Sequence, residues 1–366
     1  VFSLSTRRRH RDSLKLSKVI QEDIMQGCLL RMACVLLVAM LPTGVYAQSC
    51  LRYDGAGDFM GWADYPHCLI DHHAQSSVRW FDDWFSPPPS ESASELTTEA
   101  ALAQARLRLI NEWVLDDQGE LSPTLRLRAN LALPQLARRL SLVFEDESGQ
   151  TRRLAGVPPV NEAALALRWA VLNLRRINID TDVGLHSATD LFVRARLKQS
   201  VALHEDTDLT LFHSARYGIK SEWRGIQNIE LAHAVNERQV GVLYHQLDYQ
   251  QEKSEAGVRW SRGVLLAEER SKAITMSYGF SQEGHSQPSW QTLSDSLWWR
   301  WRQQVARDWF FVEVEPRLTR SHLGNEDTQP SLTVRFEVLW GGTTTGSELR
   351  RPTSLLEQDF AMSLTP

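Results

Sequence analysis

A chain of 366 residues with 40 basic and 45 acidic side chains has a formal charge of −5, which gives no basis for nucleic-acid binding. After residue 47 no apolar run reaches the roughly 20 residues of a spanning helix, but strands cross a membrane in about 9–11 residues with apolar side chains only at alternate positions. Thirteen tryptophans suit aromatic girdles at two membrane interfaces, and they also suit the rich core of a soluble sandwich.

Residues 1–24 contain Arg7, Arg8 and Arg9 and precede two methionines, so they read as an over-extended start ahead of Met25 or Met32. Residues 25–47 have the grammar of an export signal. Arg31 is followed by an apolar run from Ala33 to Leu41, Pro42 and Gly44 break it, and Val45-Tyr46-Ala47 offers small residues for cleavage after Ala47. Cleavage removes Cys28 and Cys34 and leaves Cys50 and Cys68, a pair expected to form a disulfide in an oxidising compartment. His67, His72 and His73 lie close to Cys68, but the spacing matches no zinc pattern and no metal site is expected. Residues 48–102 form a separate N-terminal segment. Within it Val78–Phe85 is aromatic and acidic and should lie against something apolar, the run from Pro87 to Pro89 opens a linker, and Thr97–Ala103 suits a helical turn.

From residue 103 to 340 the chain alternates. Leu107 and Leu109 oppose Arg106 and Arg108, and Leu125, Leu127, Leu131 and Leu133 oppose Arg126, Arg128 and Asn130. Ile177, Ile179 and Val183 oppose Asp180 and Asp182, and Leu191, Val193 and Leu197 oppose Arg194, Arg196 and Lys198. Near the end Trp298, Trp299 and Trp301 interleave with Arg300 and Arg302. Phe310, Val312 and Val314 then oppose Glu313, Glu315 and Arg317, and Leu332, Val334, Phe336, Val338 and Trp340 oppose Thr333, Arg335 and Glu337. A strict period of two marks strands with one apolar and one charged face. The runs count to fourteen strands, or to twelve if 104–115 is helical or 165–186 is a single strand. Short links, as at 203–206 and 236–237, alternate with longer ones, as at 147–163 and 320–330, with exceptions at 187–190 and 218–221.

Alternation alone does not say which face points out. Three features favour a membrane barrel with its polar face inward: charges alternate over many successive strands, aromatics such as Trp223, Trp309, Phe310 and Trp340 gather near strand ends, and a closed barrel is a viable way for strands to span lipid. Residues 104–340 resemble Gram-negative outer-membrane β-barrel proteins. The closing stretch W-F-F-V-E-V-E-P-R-L-T…S-L-T-V-R-F-E-V-L-W is similar to the ends of members of that class. The resemblance implies an all-β, transmembrane, antiparallel up-and-down barrel in contact with outer-membrane lipid, and the asymmetry of short and longer links puts both barrel ends and the 48–102 segment on the periplasmic side. It also implies that Trp340 serves as the aromatic assembly signal read by the barrel assembly machinery, although residues 341–366 continue as a Gly/Thr-rich tail.

With polar faces inward, a charge network lines the lumen: Arg126, Arg128, Asp180, Asp182, Arg194, Arg196, Arg300, Arg302, Glu313, Glu315, Arg335 and Glu337. Neighbouring strands pair opposite signs, which braces the wall by roughly 0.2–1 kcal/mol per pair or sets rings that select solutes. Side chains alone fill a barrel of about eight strands, so a wider one needs water, a loop or the 48–100 segment as a plug. For a lipid-modifying enzyme, His213-Ser214 is the adjacent His-Ser pair within a strand, but adjacent residues point to opposite faces. No phosphate loop or Gly-x-Ser-x-Gly occurs, so no catalytic residue and no cofactor is expected. The expected function is a channel for small solutes, with a structural barrel acting through its N-terminal segment as the alternative.

Overall fold

A computed structural model of the chain describes residues 63–83, 104–133, 140–146, 163–174, 176–186, 189–251, 257–322 and 327–341. The export signal, the Pro-rich linker, the helical turn at 97–103 and the tail lie outside the described residues. The chain divides into two compact units, Val1–Leu69 and Ile70–Pro366. A helix, α1, runs from Asp64 to Asp83. Its first turn holds Asp64, whose carboxylate faces the positive end of the helix dipole, and Pro66, where no amide proton is required. Cys68 is disulfide-bonded, which removes it as a thiolate metal ligand; its expected partner Cys50 lies outside the described residues.

Fourteen strands follow: β1 Gln104–Leu115, β2 Leu121–Ala132, β3 Leu140–Asp146, β4 Ala163–Asn173, β5 Ile177–His186, β6 Asp190–His204, β7 Thr207–Gly218, β8 Glu222–Asn236, β9 Gln239–Gln250, β10 Val258–Ser271, β11 Ile274–His285, β12 Gln291–Gln304, β13 Phe310–Ser321 and β14 Thr328–Trp340. Each pairs antiparallel with its sequence neighbours, and β1 closes on β14 through Leu107–Trp340 to Leu115–Leu332. The twelve-strand alternative is excluded, because 104–115 is β1 and 165–186 divides into β4 and β5. The β1–β2 turn shows why the chain reverses there. Asp116 Oδ1 accepts from the amides of Gln118 and Glu120 at 3.0 and 2.8 Å, and Gly119 takes φ +81°.

The two faces of the wall decide its environment. On the inward side Asp182, Arg196, Glu230 and Glu315 are all but fully buried. On the outward side Val193, Leu243, Leu297 and Leu318 are 55, 55, 60 and 49 % exposed. A soluble sandwich would have the opposite arrangement; this one matches hydrocarbon outside and a polar lumen inside. Outward aromatics cluster near strand ends: Tyr217 packs on Trp223 at 5.1 Å between ring centroids, and Phe310 stacks on Phe336 at 6.5 Å.

The segment expected to plug the barrel does something else over residues 70–83. Val78 packs with Ala105 and Leu133, with Ala74, Phe81 and Leu131 around them. Ala105 pairs with Leu131 on the same side of the wall as Leu107, Leu109 and Leu127, which is the outward side. Spacings of four and three residues put Ala74, Val78 and Phe81 on one helix face, and that face covers the outside of β1 and β2. Of the stretch expected over Val78–Phe85, Val78 and Phe81 lie on an apolar surface and residues 84–85 fall outside the described residues; the helix starts fourteen residues earlier, at Asp64. Gln75 completes the contact. β14 ends at Trp340, which pairs with Leu107 and so stops two residues short of facing Ala105. The Gln75 amide takes that place: Nε2 donates to the Ala105 carbonyl at 2.7 Å, and the Ala105 amide donates to Oε1 at 3.0 Å. Gly341, at φ +82°, passes so close that a Cβ would meet the Ala105 carbonyl at 1.7 Å. Replacing Gln75 by alanine leaves both backbone groups of Ala105 without this partner. The expected cost is about 1–3 kcal/mol, read as faster hydrogen exchange at the Ala105 amide with mid-strand amides unchanged.

Candidate functional site

Alternate residues of fourteen strands converge on the lumen, and the register determines which charges meet. In β5 and β6 Asp180 faces Arg196 and Asp182 faces Arg194. Arg168 of β4 joins them from the other side, opposite Asp182. Arg168 Nε donates to Asp182 Oδ1 at 3.0 Å, Arg194 Nε to Oδ2 at 2.8 Å, and Arg196 Nη2 to Asp180 Oδ2 at 3.1 Å. Further along this wall Arg224 grips Asp248 as a fork, Nε to Oδ1 at 3.2 Å and Nη2 to Oδ2 at 3.1 Å.

A second network crosses the closure seam from β12 to β2. Arg126 Nη2 donates to Glu112 Oε2 at 3.0 Å, and Arg335 ion-pairs with Glu112, Glu313 and Glu315. Arg300 reaches Glu315 at 2.7 Å and Glu313 at 3.4 Å, and Arg302 reaches Glu337 at 2.9 Å. Arg317 pairs with Glu315, and Arg108 with Glu337. Six arginines therefore share four glutamates. Arg128 has no ion pair among the described residues, and it stands directly opposite Arg108, a like charge.

Aromatic rings brace these guanidiniums. Arg300 lies over Trp298 at 5.0 Å, Arg302 over Phe311 at 4.5 Å, and Arg194 and Arg216 flank Phe192 at 5.7 and 5.8 Å. Between the charged sectors the inward wall of β8–β12 is apolar, with Val242, Tyr244, Leu265 and Trp298. Glycines admit the two large rings: a Cβ on Gly279 would meet Trp298 at 2.2 Å, and one on Gly263 would meet the Tyr244 hydroxyl at 2.6 Å.

All twelve lumen residues expected from the sequence point inward, and eleven join ion pairs; Arg128 is the exception. Arg108, Glu112, Arg168 and Arg317 belong to the same networks without having been among the twelve. Arg108 and Arg317 were legible as polar-face residues of their strands. Glu112 and Arg168 were hidden: Ile110 faces in and Asn111 out, which blurs β1, and alanines occupy the inward side of β4. Trp298, whose face the sequence left unassigned, is buried inside, opposite Gly279. His213 faces out and Ser214 faces in, opposite Arg196, so the pair forms no nucleophile–base contact.

The fold and this lumen define a membrane β-barrel of the outer-membrane type. No family model matches the chain, and no curated protein does. Solved barrels do. The KdgM porin has 7% identity over 63% of this chain and 98% of its own, at a TM-score of 0.33. The anion-selective porin from Comamonas acidovorans has 7% identity over 65% and 100%, at 0.39. OmpT, an outer membrane protein of Vibrio cholerae, has 7% identity over 68% and 100%, at 0.40.

Proposed function

We propose that the chain is an outer-membrane channel for small solutes that favours anions. On this reading residues 25–47 export the chain. Trp340, the last residue of the closing strand, is the aromatic presented to the barrel assembly machinery, and residues 48–102 and the tail stay on the periplasmic side. The observation that carries the anion preference is the arginine excess at the seam, with Arg128 beside Arg108 and no carboxylate on it among the described residues. Fixed charges of one sign on a low-dielectric wall raise the local concentration of the opposite sign. Rings and carboxylates hold the other guanidiniums in place, so the preference is built into a rigid wall.

The test is conductance of the purified, refolded chain in planar bilayers, with the reversal potential read under a tenfold KCl gradient. Discrete conductance with anion preference is expected, and Arg128→Glu should move the reversal potential toward cations. Folded, heat-shifting protein that inserts and stays silent would reject the channel.

A further inference from the structure

The outward face carries a feature that the lumen does not explain. Ala195 pairs with Ala215, Ala215 with Gly225, and Gly225 with Tyr249. These residues make a strip of small side chains across β6, β7 and β8 that ends against a tyrosine on β9. At the usual strand spacing the strip is about 14 Å long. It is the floor of a groove of about 500 Å³, within the size range of about 300–1,000 Å³ of small-molecule sites. The space above Gly225 is open, since a Cβ there would meet nothing within 4 Å. One step further along the strands His213 and Gln227 form a direct cross-strand pair and line the same groove.

That pair is out of place on a wall meant for lipid. His213 is the seventh of twelve residues in β7, far from both rims. Neither side chain has a hydrogen-bond partner among the described residues. Polar groups left unsatisfied in hydrocarbon cost several kcal/mol each. They are tolerated where something in the membrane brings them a partner. A second copy of this chain fits poorly, because two concave strips meeting about a twofold axis would leave both unfilled. A narrow, flexible chain with an oxygen along it fills the strip and satisfies the pair.

We propose that this groove holds one acyl chain of a membrane lipid, with the lipid's ester or hydroxyl oxygen hydrogen-bonded to His213 and Gln227. The groove opens away from the lumen, so the inference stands or falls separately from the channel.

The experiment is native mass spectrometry of the full chain released from detergent, titrated with a synthetic diester phosphatidylethanolamine and with its diether analogue. Wild type should retain one diester lipid. Gly225→Leu and, separately, Ala215→Leu fill the strip and should lower retention about tenfold, equivalent to 1.4 kcal/mol, with the heat-shift on gels unchanged. His213→Leu combined with Gln227→Leu should abolish the preference for diester over diether. Equal retention by wild type and both filling variants would overturn the proposal. So would a filling variant that keeps its lipid but changes the mass from oligomer to monomer, which would seat a second copy there.

Discussion

Asp182→Ala should destabilise the barrel by about 3–5 kcal/mol, the cost of breaking a buried ion pair from one side. Asp182 is 0% exposed and sits between Arg168 at 3.0 Å and Arg194 at 2.8 Å, with Arg196 at 3.7 Å. Without it three guanidiniums share Asp180. Their mutual repulsion and lost hydrogen bonds both act in a water-poor part of the wall, where each is strong. The measurement is the urea midpoint of the folded, heat-shifting form in detergent. Asp295→Ala is the contrast: its outward carboxylate meets His322 at 2.9 Å with both groups 27% exposed, and its loss should cost under about 1 kcal/mol. If the two variants unfold together, the inner ladder does not brace the wall. A large gap would show that the ladder braces the wall and fixes the positions of Arg168, Arg194 and Arg196.

Much of this was legible because the strand period is two and the wall has one wet and one apolar side. Where both sides keep their chemistry, as in β5, β6, β13 and β14, the sequence identifies the face of each residue and which strands set opposite charges side by side; the one-to-one partners, Asp182 with Arg194 and Glu313 with Arg335, come from the register. What stayed hidden depends on shape. Trp298 looks like any girdle tryptophan until Gly279, nineteen positions earlier, is seen beneath its ring. α1 is hard to recognise because three histidines and four aspartates interrupt its apolar residues, and because its packing partners are the outer side chains of strands some 30 to 55 residues away. Gln75 could not be read at all. Its role exists only because β14 stops two residues short of facing Ala105.

Leu297→Arg tests the inside-out assignment itself. Leu297 is 60% exposed, midway along β12, with Phe280 on one neighbouring strand and Leu318 on the other, both outward and 40 and 49% exposed. In a soluble barrel these would be surface residues, and arginine there would change stability by no more than about 0.5 kcal/mol. In a bilayer the same substitution puts a guanidinium into hydrocarbon at mid-depth, with a cost of about 2–4 kcal/mol that falls to about 0–1 near the interfaces. The measurement is unfolding of both proteins in lipid vesicles, repeated in buffer without lipid or detergent. A loss of 2–4 kcal/mol in vesicles, with no soluble folded form in buffer, is the expected result. Trp223→Arg, at the second residue of β8, should cost far less, because its side chain reaches the rim. Indifference to arginine at position 297 would turn the wall around: the apolar face would be surface, and the ladder from Arg168 to Arg335 would be the buried polar core of a soluble protein.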